Sequence, residues 1–180
     1  SIIGLCMHHI ISDGWSLKVL LKELGASYQA FAQNEQPQFA PLPVQYADYA
    51  LWQKERYGDG ALEKALDYWV EHLAGYEDLA MPLDFTRPRQ ISGKGKNVAK
   101  AFSPDLSTKL NEHSKAEGIT TFSTLLTGVF ALLNTYTRQE DLCIGMPVAN
   151  RTEEQLEDLI GFFVNTLINR VQIDPKGTFA

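Results

Sequence analysis

At 180 residues, 44% of them hydrophobic, the chain is long enough to bury a sizeable core as one domain or two small lobes. Its formal net charge of −6, with no Lys/Arg run, argues against a nucleic-acid or anionic-membrane surface, either of which needs a basic footprint. No apolar stretch reaches the roughly 18 residues of a transmembrane span, and the start lacks the basic-then-apolar order of a signal peptide.

The chain opens on an apolar run, Ile2 to Met7, without polar alternation, which predicts a strand covered on both faces. His8 and His9 end it. Successive side chains of an extended chain point to opposite faces, so one imidazole is free for chemistry and the other anchored. Asp13, in the turn that follows, can accept bonds from nearby backbone N–H groups or pair with an arginine. Gly14 allows a positive φ or a close approach to a ligand. From Trp15 to about Gln33, Leu17, Leu20, Leu21, Leu24, Tyr28 and Phe31 recur at helical spacing, predicting a helix packed under the turn. Its N-terminal partial charge favours an ionised Asp13.

Pro37, Pro41 and Pro43 predict an extended connection, and Gln45 to about Tyr57 a second helix with Tyr46, Tyr49, Ala50 and Gln53 on one face. Gly58-Asp59-Gly60 breaks the chain, and Leu62, Leu66, Trp69 and Leu73 mark a third helix. Residues 75–95, rich in Pro, Gly and charge, read as a long surface connection. Asn97 to Phe102 is predicted as a strand. Ser103 and Pro104 then open a helix that stops before Gly118. A more apolar helix starts at Thr120 or Thr121, and its wide stripe from Phe122 to Tyr136 predicts extensive burial. Leu142 to Ala149 reads as an interior strand, Arg151 to Leu159 as a short helix or turn, and Val164 to Ile173 as a strand.

Cys6 and Cys143, far apart in apolar runs, read as buried reduced thiols, which fits a cytosolic protein. A metal site at His8, His9 and Asp13 is disfavoured, because adjacent strand residues diverge and zinc wants three or four converging ligands. No G-x-S-x-G elbow or phosphate-cradling glycine motif occurs. His72 and His113, on charged helices, read as structural.

Three stretches carry a resemblance. His8-His9-Ile10-Ile11-Ser12-Asp13-Gly14-Trp15-Ser16 resembles the HHxxxDG signature of nonribosomal peptide synthetase condensation domains of the peptide-forming type. Tyr46 to Trp52 resembles that family's YxDYAxW motif, and Ile160 to Leu167 its IGxFVNT motif. HHxxxDG alone also fits chloramphenicol acetyltransferase and related acyltransferases, so the three together carry the specificity.

The resemblance implies a two-lobed chloramphenicol acetyltransferase-like α/β sandwich, here in part. Residues 1–57 would be the C-terminal part of the first lobe with the HHxxxDG motif, and 58–180 the N-terminal part of the second. The family's first-lobe RHExLRT motif is missing, so the chain reads as a fragment, inactive alone. The implied reaction is amide-bond formation between aminoacyl or peptidyl thioesters. No cofactor or metal is bound; the substrates ride on the 4'-phosphopantetheine arms of carrier proteins. The implied partners are upstream and downstream peptidyl carrier proteins and an adenylation domain of the same cytoplasmic multimodular chain, with no nucleic acid and no membrane.

By the same resemblance His9 is catalytic, as general base or as positioning group, with His8, Asp13, Gly14 and Trp15 supporting the site and Asn165 a candidate tunnel residue. Asp13 would pair with the arginine of the missing first-lobe motif and sit unpaired here. The alternatives are a CoA-dependent acyltransferase and a non-catalytic carrier-docking module. Epimerisation domains share HHxxxDG but continue Gly-Val-Ser-Trp, where this chain reads Gly14-Trp15-Ser16-Leu17, and heterocyclisation domains replace the histidines by aspartates.

Overall fold

The computed structural model describes residues 2–58, 60–90, 92–174 and 176–177. Asp59, the middle of the expected break after the second helix, lies outside them. Among the described residues five helices and two strands follow in order: α1 (Gly14–Ala32), α2 (Tyr46–Arg56), α3 (Ala61–His72), α4 (Pro104–Ala116), α5 (Thr121–Thr137), β1 (Asp141–Val148) and β2 (Asn165–Gln172). One-turn 3₁₀ segments occupy His9–Ile11 and Glu154–Leu156. The chain forms two compact units, Ser1–Ala74 with Gly145–Ile168, and Gly75–Ile144 with Asn169–Ala180.

Most element ends follow from side chains next to them in sequence. Asp13 caps α1 by accepting the Ser16 N–H, and α2 opens on a capping box in which the Asp48 carboxylate accepts the Gln45 N–H at 2.8 Å. Ser103 and Thr120 cap α4 and α5 in the same way. Arg138, at φ 61°, ends α5, and the Asn134 amide donates to the Gln139 carbonyl beyond it at 2.8 Å. Gln139 in turn holds the start of the long connection, donating to the Asp78 carbonyl and accepting the Ala80 N–H.

In the first unit the core is Tyr49, Leu156, Leu159 and Phe163, with Val44 against it. In the second, Ser114 of α4 bonds Thr124 of α5 at 2.7 Å, while Phe130 and Leu142 are buried. The two strands pair. Glu140 meets Ile173 at one end and Gly145 meets Thr166 further along, so they run antiparallel.

Several expectations are corrected. Ile2–Met7 and Asn97–Phe102 form no strand, because neither finds a backbone ladder among the described residues, and Ile2 is fully exposed. The α5 stripe is largely solvent-facing, with Phe122 at 62% and Tyr136 at 59% exposure. Helix α1 turns Ser16 and Val19 inward and leaves Leu17, Leu21, Leu24, Tyr28 and Phe31 outward. These faces have the right period but nothing among the described residues to cover them. Cys6 is exposed and Cys143 half-buried, against the expected burial of both. Among the described residues no single helix is long and apolar enough to cross a membrane.

Candidate active site

Both histidines sit at the turn before α1, and each ring is committed through Nδ1, in opposite senses. The Ile10 N–H donates to His8 Nδ1 at 3.1 Å, so His8 caps the 3₁₀ turn with its lone pair and its proton lies on Nε2. His9 Nδ1 lies 2.7 Å from the Ser12 carbonyl oxygen, which can only accept, so Nδ1 carries a proton. In the neutral ring the Nε2 lone pair of His9 is then the free one. Strand alternation does not set the two rings, because the histidines lie at a 3₁₀ turn in which each is engaged through Nδ1. The far side of the His9 ring meets Phe162 edge to face, at 5.2 Å and 89°.

Asp13 is the buried anchor. Its Oδ1 accepts the Ser16 N–H and lies 2.8 Å from the Ser16 hydroxyl, and its Oδ2 accepts the Phe163 N–H at 3.1 Å. Arg151 completes it at 3.4 Å, with the side chains 3% and 1% exposed. This corrects the expectation of an unpaired carboxylate: the arginine comes from the turn after β1. Burial alone would raise the Asp13 pKa. The Ser16 N–H and hydroxyl, the Phe163 N–H and the Arg151 charge outweigh it and hold the carboxyl below its ordinary range.

Arg151 does more than neutralise Asp13. It donates to the Leu156 and Leu159 carbonyls and to Ser16 Oγ, and its guanidinium lies 3.9 Å from the Phe163 ring centroid and 5.8 Å from that of Trp15. Trp15 Nε1–H donates to the Glu157 carbonyl at 2.8 Å, tying the first turn of α1 to the same loop. Asn150, at φ 53°, turns the chain between β1 and Arg151, and its amide donates to the Tyr49 hydroxyl. Burial, and then the neighbouring phenols of Tyr46 and Tyr57, raise the Tyr49 pKa.

The glycine that sterics demand is not Gly14. Gly14 takes no positive φ, and a Cβ there would meet nothing within 4 Å. At Gly161 a Cβ would fall 2.2 Å from Tyr46 Cδ2 and 2.9 Å from the Phe163 ring. Asn165 stands apart on the exposed start of β2, accepting the Thr166 N–H. Ser16, Arg151, Gly161 and Phe162 were not singled out from the sequence as site residues. The available signals were a charged residue closing an apolar strand and a serine at the third position of a capped helix. Among the described residues no three His, Cys, Asp or Glu side chains converge as metal ligands.

A histidine held through Nδ1 by the Ser12 carbonyl, on a turn whose next residue is the buried Asp13, suits acyl transfer by proton acceptance or orientation. Comparison with solved structures assigns the fold to the chloramphenicol acetyltransferase-like α/β class: the X-domain from teicoplanin biosynthesis matches at TM-score 0.81 and 29% identity, over 96% of this chain and 40% of that one. A four-domain nonribosomal peptide synthetase bound to AMP and glycine matches at TM-score 0.79 and 28% identity, over 93% of this chain and 12% of that one. The condensation-domain family model matches residues 3–180, and the chain belongs to that family. One linear gramicidin synthase polypeptide of Brevibacillus parabrevis is 45% identical over 174 residues, and enniatin synthase of Fusarium equiseti 42% identical over 180. These matches take in 96% and 99% of this chain but only 3% and 6% of those proteins.

Proposed function

We propose that the chain is the part of a nonribosomal peptide synthetase condensation domain that carries the catalytic histidine, and that the domain joins two carrier-bound thioesters. What supports this is the state of His9: its Nδ1–H is engaged by the Ser12 carbonyl, which leaves the Nε2 lone pair of the neutral ring to accept a proton. The acceptor's α-amine attacks the donor's thioester carbonyl, forming a C–N bond and a tetrahedral oxyanion. Collapse breaks the C–S bond, releases the donor's phosphopantetheine thiol and leaves the lengthened peptide on the acceptor arm. The amine's proton passes to His9 Nε2 and then to the departing thiolate.

An α-amine with a pKa of about 8 is partly neutral at physiological pH, so positioning supplies much of the rate. Tethered reactants in one tunnel can lower the barrier by roughly 7–11 kcal/mol in favourable cases. In this reading His8, Asp13, Gly14 and Trp15 support the histidine, Asn165 lies near the tunnel, and residues 1–57 and 58–180 belong to successive lobes. The partners are the flanking peptidyl carrier proteins and an adenylation domain of one cytoplasmic chain, and this segment alone is inactive.

The test is single-turnover amide formation by the full-length parent protein with chemically loaded donor and acceptor carriers. His9→Ala lowers the rate by about 10²–10⁴ fold, as for loss of a general acid–base group, whereas His8→Ala acts through stability. A wild-type protein that acylates only from CoA thioesters, or binds carriers without product, overturns the reading. So does an unimpaired His9→Ala.

A further inference from the structure

The backbone of residues 159–163 is held more firmly than a surface loop requires. Arg151 donates to the Leu159 carbonyl, and the Gly161 N–H donates to Ser16 Oγ at 3.0 Å. The single Ser16 hydroxyl proton lies between Asp13 Oδ1 and the Gly161 carbonyl, each at 2.8 Å. The Tyr46 hydroxyl donates to the Phe162 carbonyl at 2.8 Å, and the Phe163 N–H donates to Asp13. Side chains from α1, α2 and two turns thus converge on four of these five consecutive residues.

Phe163, at 2% exposure, accounts for the buried half of this arrangement by packing on Tyr46, Tyr49 and Arg151. Phe162 is different. It remains 39% exposed, so the core does not need its ring, and the ring meets the His9 imidazole edge to face. The His9 ring is otherwise oriented by one hydrogen bond, through Nδ1. One bond leaves the ring plane free to tilt about it; a perpendicular aromatic neighbour removes that freedom.

We propose that Phe162 is a positioning residue for His9: the pinned 159–163 backbone sets the Phe162 ring, and that ring fixes the imidazole plane so that Nε2 faces the reacting amine. This rests on the condensation reading and goes beyond it by making a side chain outside the histidine turn part of its geometry. Phe162 acts through His9 and touches no reacting atom.

The experiment is the same single-turnover assay on the full-length parent protein, with acceptor carrier varied to saturation. Phe162→Leu slows the saturated rate about tenfold, in the range one aromatic pair can command, and leaves the acceptor half-saturation and the melting temperature unchanged. Phe162→Tyr, which keeps the ring, restores the rate. In the His9→Ala background Phe162→Leu costs nothing further. A wild-type rate for Phe162→Leu, a loss confined to acceptor half-saturation, or an equal loss in both backgrounds overturns the proposal. If Phe162→Leu fails to fold, Phe162→Met, which keeps the bulk without the ring, decides by the same criteria. Absence of amide product from the wild type, or an unimpaired His9→Ala, overturns the condensation reading itself and so is told apart.

Discussion

Among the described residues each unit holds one aspartate–arginine pair, and the two are built for different ends. Asp141 and Arg170 face each other across β1 and β2, with side chains 30% and 14% exposed and Arg170 Nε within 2.9 and 3.1 Å of both carboxylate oxygens. The Arg170 hydrogen bond is the first cause of the lowered Asp141 pKa, against a small cost of burial. Asp13 and Arg151 are nearly sealed, and there burial is the first influence, opposed by two bonds from Ser16 and one from Phe163 before the arginine's charge counts. The half-buried pair is a cross-strand contact that water could replace. The buried pair is a junction that water cannot serve, and among the described residues Arg151 Nε is a buried donor there with no acceptor.

Breaking the junction is therefore the largest expected effect. Asp13→Asn leaves Arg151 buried without its counter-charge and should cost about 3–5 kcal/mol of stability in denaturant unfolding, as for other buried pairs broken on one side. The pH dependence has the matching sign. The folded Asp13 value lies below the unfolded value of about 3.9, so its contribution is complete above about pH 4 and is lost as pH falls through the folded value. The wild type should lose stability on that acid limb, and Asp13→Asn should flatten it; an unchanged limb would remove Asp13 from the account.

Gly161→Ala comes next. It drives a methyl into the Tyr46 ring and should cost about 1–3 kcal/mol by overpacking, with Tyr46→Ala in the same chain relieving part of that cost. Asp141→Asn should give the smallest change, a lowering of the melting temperature that shrinks as salt is added, because a pair that solvent still reaches is screened. A loss as large as that of Asp13→Asn would dissolve the contrast between the two pairs.

Much of the local structure was legible in the chain. Ser103-Pro104, Thr120 and Asp13 mark helix starts, and the helical periods of α1 to α5 are present within a residue or two of the expected bounds. The strands from Asp141 and Asn165 were legible too. The segments Ile2–Met7 and Asn97–Phe102 were misread for one reason: an apolar run says that a strand would be comfortable, but a strand exists only where a second strand bonds to it. The outward-facing stripes of α1 and α5 carry a related lesson, since a period identifies an apolar face and not what covers it.

What the amino-acid order alone determined was the helices and their caps, because these depend on groups within about four residues of one another. Tertiary structure decided which groups serve the histidine turn. Asp13 meets Arg151 across 138 positions, Ser16 meets Gly161 across 145, and Tyr46 meets Phe162 across 116, and no linear spacing encodes such meetings. The return of Gly145–Ile168 to the unit formed by Ser1–Ala74 brings them together. A buried carboxylate must then take whatever donors that packing delivers, because unmet charge in a water-free site is more costly than any local preference.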